Sequence, residues 1–159
     1  MSTRWIAALA LTLSAALPQS PPTLLVDGGN GKTVNLTVAD LAKLPQHTIQ
    51  TPDHGKLTSF EGVLLSDLLA KVDLPAGEKL RGKLLASYLI VEAADGFKTV
   101  FALPELDPAF TEAKVYLVWK RDGQPLSEKE GPFRTIVPGE KRPSRWVRQV
   151  TALKIREGK

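Results

Sequence analysis

The chain of 159 residues contains no cysteine, and this absence limits its chemistry. It excludes disulfides, thiolate metal sites and a cysteine nucleophile. Histidine is scarce as well, because only His47 and His54 occur, and neither belongs to an HExxH or similar metal-binding motif. No serine lies in a GxSxG turn, so the sequence does not support a serine hydrolase. We therefore predict no metal ligands and no catalytic residues, and a stability that comes from packing.

The apolar run near the N terminus is too short to span a membrane. Arg4 precedes this run, which extends from Trp5 to Leu13, and the small residues Ser14, Ala15 and Ala16 follow it. This order is typical of a cleaved secretory signal peptide. We expect an exported protein, periplasmic or secreted, that has no membrane attachment after cleavage. The predicted organisation is a signal peptide over residues 1–16, a Pro-rich linker over 17–23 and one domain over 24–159.

Short β-rich runs separated by turn residues make up most of the predicted domain. In "TLLVDGGNGKTVNLTV" two such runs flank a Gly/Asn/Asp turn, and the dipeptide Asp95-Gly96 separates two others as a tight hairpin turn would. "HTIQT" and "LTSF" flank the turn "PDHGK", and "KVYLVWKRDGQPL" predicts a strand that ends at a turn. "FRTIV" and "RWVRQVTALKI" predict the last strands.

Two short helices accompany these strands. Thr37 precedes "VADLAKL" with Asp40 three residues later, an acidic variant of the capping box, so a short helix is expected that ends at Pro45. "GVLLSDLLAKV" places four apolar side chains at helical spacing on one face, namely Leu65, Leu68, Leu69 and Val72. The pattern as a whole predicts an α+β domain with a mixed, mainly antiparallel sheet and a few short helices.

A basic segment near the C terminus is the strongest indication of a binding site. Five basic residues and one acid lie between Gly131 and Val150, among glycines and prolines that can leave backbone N–H groups open to a ligand. Arg134 lies within the apolar sequence "FRTIV", where a charge requires a partner. A bound anion would satisfy it, and so would a carboxylate elsewhere in the chain. A solvated loop is a third interpretation of the segment. Nucleic acid is not expected as the partner, since export leads to a compartment that is poor in it.

Several motifs, taken in order, resemble one family. They are "FEGVLLSDLLAKV", "VEAADGFKTVFALPELDP" and "YLVWKRDGQPLSEKEGPFRTIVPGEKRPSRWVRQVTALKI", which together cover about residues 33–156. Their order and spacing resemble the molybdopterin-binding domain of the sulfite oxidase family of oxidoreductases. The resemblance implies a sulfite-oxidase-like fold in which a basic loop holds the phosphate of the pterin. It assigns the cofactor-binding positions to Arg134, Lys141, Arg142, Arg145 and the closing aromatic Trp146.

The sequence departs from the catalytic members of that family at one position. In those enzymes a cysteine thiolate binds molybdenum shortly before the "F-x-G-V" motif, whereas this chain reads "IQTPDHGKLTSFEGV". Thr51 and Asp53 lie near the expected place, and an oxygen donor does not reproduce the softness of a thiolate. We therefore expect a non-catalytic or accessory domain that binds a pterin or another anionic ligand through its basic loop.

Two alternatives to this accessory role stay open. One is a molybdenum-dependent oxidoreductase with a non-cysteine ligand, for which Asp53, Thr51 or His54 would lie nearest the metal. The other is a module that binds a protein partner, in which the sheet or the basic loop contacts another exported protein.

Overall fold

The computed structural model describes residues 20–158. The predicted signal peptide, residues 1–16, lies outside this range. The two α-helices of the described chain are α1 (Val38–Leu41) and α2 (Leu65–Leu69). The strands are β1 (Thr23–Asp27), β2 (Thr33–Thr37), β3 (His47–Asp53), β4 (Lys56–Leu64), β5 (Tyr88–Ala93), β6 (Lys98–Ala102), β7 (Tyr116–Arg121), β8 (Gln124–Pro125), β9 (Arg134–Ile136) and β10 (Val150–Arg156). Five 3-10 turns, at Ala70–Val72, Gly77–Lys79, Gly82–Ala86, Leu103–Glu105 and Pro143–Arg145, connect them.

The strands form two five-stranded sheets. The first has the order β2-β1-β10-β5-β6, and the second has the order β3-β4-β7-β8 with β9 also paired to β7. Strands β1 and β10 are parallel, and the other strand pairs of the described chain are antiparallel. This arrangement confirms the predicted α+β class with a mainly antiparallel sheet. No helix of the described residues is long and apolar enough to cross a membrane.

Local sequence signals account for the hairpins and helices. The β1–β2 and β5–β6 hairpins form where the turn sequences predicted them. At α1 the side chain of Thr37 accepts the backbone N–H of Asp40 at 3.2 Å, and the Asp40 carboxylate accepts the N–H of Thr37 at 3.0 Å. The carboxylate also accepts bonds from the hydroxyl of Thr37 and from Lys43, and together with the backbone N–H of Thr37 these donors lower the pKa of Asp40 to about 2. The apolar face predicted for α2 and the turn after it is fully buried.

The strand predicted over "RWVRQVTALKI" is correct only in its second half. Pro143–Arg145 forms a 3-10 turn, and β10 begins at Val150. Gln149 has a φ of 51°, a left-handed conformation that an extended strand cannot include. The side chain of Trp146 packs into the core beside Phe60. This irregular stretch forms one wall of the candidate site.

Candidate functional site

Arg134 lies in β9, and its guanidinium is bonded to two carboxylates of the chain. The Nη1 group donates to Asp53 Oδ2 at 3.1 Å and to Glu130 Oε1 at 2.5 Å, and Nη2 donates to Asp53 Oδ1 at 3.4 Å. The side chains of Arg134 and Asp53 are 2% and 1% exposed. The sequence left two partners open for the charge of Arg134, a bound anion or a carboxylate of the chain. In the structure carboxylates of the chain are its partners.

Arg121, at the end of β7, completes a four-residue ion network with Asp53, Glu130 and Arg134. Its Nη2 lies 3.1 Å from Asp53 Oδ2, and its Nη1 donates to Glu130 Oε1 at 2.7 Å. Two guanidinium groups thus face two carboxylates, and the formal charge of the network is zero. Arg121 is 30% exposed, which makes it the most solvent-accessible of the four side chains.

Aromatic rings line the apolar side of the ion network. The guanidinium carbons of Arg121 and Arg134 lie 5.6 and 5.5 Å from the centre of the Phe60 ring. The Trp146 ring lies 5.6 Å from Arg134 and meets Phe60 edge to face. All three guanidinium–ring distances fall within the range of cation–π contacts, which stabilise a desolvated guanidinium. The network is therefore enclosed by carboxylates and rings of the chain itself.

The second sheet brings these side chains together. Strand β3 turns into β4 at His54-Gly55, so Asp53 lies at the end of the β3–β4 hairpin and Phe60 follows on β4. Strand β7 pairs with β4 on one side and with β9 on the other, which places Arg121 and Arg134 beside that hairpin. Asp53 and Arg134 are 81 positions apart in the sequence, and only this strand order makes them neighbours.

The ionisation of Asp53 depends on its arginine partners. Burial opposes the charged form, but the hydrogen bonds and charge of Arg134, followed by the charge of Arg121, outweigh it and hold the pKa of Asp53 below its usual value of 3.8. A carboxyl group whose pKa is lower in the folded than in the unfolded state stabilises the fold above its unfolded pKa. That contribution is lost as the pH falls through the folded pKa.

We therefore predict an acid-dependent loss of stability that is traceable to Asp53. The free energy of unfolding should fall as the pH is lowered below about 4, and Asp53→Asn should flatten this dependence while lowering stability at pH 7. Urea unfolding of the parent protein and the variant between about pH 3 and pH 7 measures the difference. Parallel curves for the two proteins would contradict the assignment, since other acids contribute equally to both.

The remaining predicted site residues occupy three different environments. Arg145 donates through Nε to Glu140 at 2.7 Å and through Nη1 to Glu105 at 3.2 Å, and it lies 4.3 Å from the centre of the Phe101 ring. Trp146 is buried and donates its indole N–H to the carbonyl of Val137.

Lys141 and Arg142 point outward and form no ion pair with any residue between 20 and 158. The structure thus brings Arg134 and Trp146 together and pairs Arg145 with Glu140 and Glu105. The side chains of Lys141 and Arg142 are exposed to solvent. Binding of an anion by this set stays a prediction.

Sequence reasoning missed a groove of about 360 Å³ that Trp146 also lines. Lys129 and Arg148 line it, together with the β5–β6 turn. Lys129 precedes the motif "GPFRTIV", and Arg148 lies in the stretch that was predicted as a strand. The excess of basic residues over acids between Gly131 and Val150 was a signal for Arg148, whereas Lys129 lies between Glu128 and Glu130 and had none.

The residues at the position expected for the metal ligand do not fit a molybdenum ion held by a thiolate. Asp53 contributes only oxygen atoms, and both already contact guanidinium groups. Thr51 is buried in β3, while His54 is mostly exposed with its Nε2 3.7 Å from Asp53 Oδ1. Within residues 20–158 no three His, Cys, Asp or Glu side chains are grouped so that they could hold a metal ion. The oxygen donors of Asp53 and Thr51 are hard, in contrast to a soft thiolate, and those of Asp53 are already engaged.

The family of the chain follows from its sequence. The model of the family described as the oxidoreductase molybdopterin binding domain matches residues 53–159. The chain therefore belongs to the oxidoreductase molybdopterin binding domain family, and the resemblance drawn from its motifs is confirmed. No curated protein matches the chain significantly.

A solved structure has the same fold. The chain is similar to the sulfane dehydrogenase SoxCD from Paracoccus pantotrophus, with a TM-score of 0.64 and 21% sequence identity. The similarity covers 91% of this chain and 41% of the SoxCD chain, so the present chain spans less than half the length of that protein. At this identity the likeness shows a shared fold and nothing further.

Proposed function

We propose that this chain is an exported, non-catalytic member of its family that serves as a binding or accessory module. The observation that carries the proposal is the pairing of buried Arg134 with Asp53 and Glu130. The family resemblance assigns Arg134 to the cofactor phosphate and places the metal ligand near Asp53. In this chain the guanidinium of Arg134 and the carboxylate of Asp53 are bonded to each other.

The energetics of the ion network support a structural role for it. An incoming phosphate would have to displace Asp53 and Glu130 from Arg134 and leave the Asp53 carboxylate buried with one partner fewer. Removing one member of a buried pair costs about 3–5 kcal/mol. A single hydrogen bond to a charged group contributes about 1.5–3 kcal/mol, so one such bond from Arg134 to a phosphate does not offset the loss of the internal pair. We infer that Arg134 stabilises the domain and that any ligand binds elsewhere.

Export is part of the same proposal. A positively charged residue, a short apolar run and small residues follow one another at the N terminus, as in a cleaved secretory signal peptide. The outward-facing cations Lys141 and Arg142 then suit an anionic small molecule or an acidic surface of another exported protein.

The cofactor content of the native protein tests this function. Protein purified from its own host is expected to contain far less than one molybdenum per chain and no pterin in stoichiometric amount. Elemental analysis and fluorescence of oxidised pterin measure the two quantities. The intact mass of the same preparation should correspond to a chain that begins after Ala16. One molybdenum and one pterin per chain would refute the non-catalytic assignment and favour an enzyme with an oxygen ligand.

A further inference from the structure

The groove beside Trp146 differs from the ion network in its access to solvent. It lies between the β5–β6 turn, the segment before β9 and the loop before β10, and its volume is about 360 Å³. We propose that this groove binds a small organic anion that carries an aromatic ring. The inference rests on the proposed function, since it names the ligand class and the site of the binding module.

The charge of the groove favours an anion. Lys129 and Arg148 line it, both are exposed, and neither forms an ion pair with a residue of the described chain. Asp95 is the third charged residue of the lining, and its Oδ1 already accepts the backbone N–H of Phe97 at 2.9 Å. The lining therefore has a formal charge of +1. In contrast to Arg134 and Arg145, its two cations remain available to a ligand.

The exposed side chain of Phe97 favours an anionic ligand that contains an aromatic ring. Phe97 lines the groove and is 49% exposed, so part of its ring is accessible to a ligand. Trp146 forms a second aromatic part of the lining. A ligand ring that covers Phe97 would bury apolar surface and gain an aromatic contact, while its acidic group reaches Lys129 and Arg148.

Hydrogen bonds of Gln149 hold the walls of the groove together. The backbone N–H of Gln149 donates to the carbonyl of Glu130 at 2.8 Å, and the carbonyl of Gln149 accepts the N–H of Ala94 at 2.9 Å. Its side-chain amide donates to the carbonyl of Glu128 at 2.8 Å. These bonds tie the three walls together at a residue with a φ of 51°. A strained residue that is held by its surroundings is common at binding sites, and a preformed site loses less entropy when it binds.

Calorimetric titration of the mature chain with phenyl phosphate and with inorganic phosphate tests the proposal. Phenyl phosphate should bind, and inorganic phosphate should bind more weakly. Lys129→Gln and Arg148→Gln should each weaken phenyl phosphate binding about tenfold. Phe97→Ala should bring the affinity for phenyl phosphate close to that for inorganic phosphate. Lys83→Gln removes an exposed cation outside the groove lining and should change neither affinity.

Three results would overturn the proposal. They are the absence of phenyl phosphate binding tighter than about 10 mM, equal affinity of the parent protein for both probes, and binding that is lost with Lys141→Gln but kept with Lys129→Gln. The last result would assign the anion to the exposed loop. None of the three affects the molybdenum content of the native protein, so failure of this site and failure of the proposed function are separate observations.

Discussion

Replacement of Arg134 with methionine is expected to lower the free energy of unfolding by about 3 kcal/mol or more. Methionine keeps much of the apolar stem that packs against Phe60 and Trp146, but it removes the charge. Asp53 would then be buried with Arg121 as its only arginine partner, and a buried carboxylate that loses a partner is destabilising. Chemical unfolding at pH 7 measures the change.

The matched control for Arg134→Met is Arg142→Met in the exposed loop. Arg142 forms no ion pair with the described residues, so its replacement should change stability by no more than about 0.5 kcal/mol. If Arg134→Met does not fold, Arg134→Lys keeps one charge and should show an intermediate loss. Equal stabilities of Arg134→Met and Arg142→Met would mean that the ion network contributes nothing to the fold.

Replacement of Gly62 with alanine is expected to be the second most damaging change. A Cβ atom at this position would lie 2.0 Å from the carbonyl oxygen of Leu117 and 2.7 Å from the Cα of Val118, both on the neighbouring strand β7. Backbone atoms of a central strand cannot move aside as a side chain can, and overpacking costs about 1–3 kcal/mol even where side chains relax. We expect a loss of about 3 kcal/mol or more in the free energy of unfolding.

Gly123→Ala serves as the control for Gly62→Ala, because its effect has a different cause. Gly123 has a φ of 77° in the β7–β8 turn, and nothing lies within 4 Å of an added Cβ. Alanine there adds only the strain of a left-handed residue, about 1–2 kcal/mol. Gly62 lies next to a register shift between β4 and β7. The backbone of β7 approaches it so closely that only glycine fits at this position of the "F-x-G-V" motif. A loss at Gly62 no greater than at Gly123 would contradict this explanation.

The parts of the fold that were predicted correctly depend on short-range signals. The capping box of Thr37 and Asp40, the Asp95-Gly96 turn and the apolar face of α2 each involve residues within a few positions of one another. The physical cause of each element is contained in its own sequence. The ordered motifs also identified the family, because their spacing reflects the whole strand arrangement.

The parts that could not be predicted depend on long-range pairing. Strand β1 pairs with β10 from the other end of the domain, and no local pattern encodes this partner. The same holds for the bond between Asp53 and Arg134 across 81 positions. The sequence showed that Arg134 required a counter-charge, but only the strand order selects the carboxylate. The groove likewise combines three separate segments, so Lys129 had no sequence signal of its own.

A double-mutant cycle on Asp53 and Arg134 tests the central claim most directly. The claim is that the carboxylate of Asp53 is the anion that satisfies Arg134, in the place where the family resemblance expects a cofactor. Unfolding free energies of Asp53→Asn, Arg134→Met and the double variant give the coupling between the two side chains. We predict a coupling of about 2 kcal/mol or more, since the pair is buried and in contact. A coupling below about 0.5 kcal/mol would contradict the account.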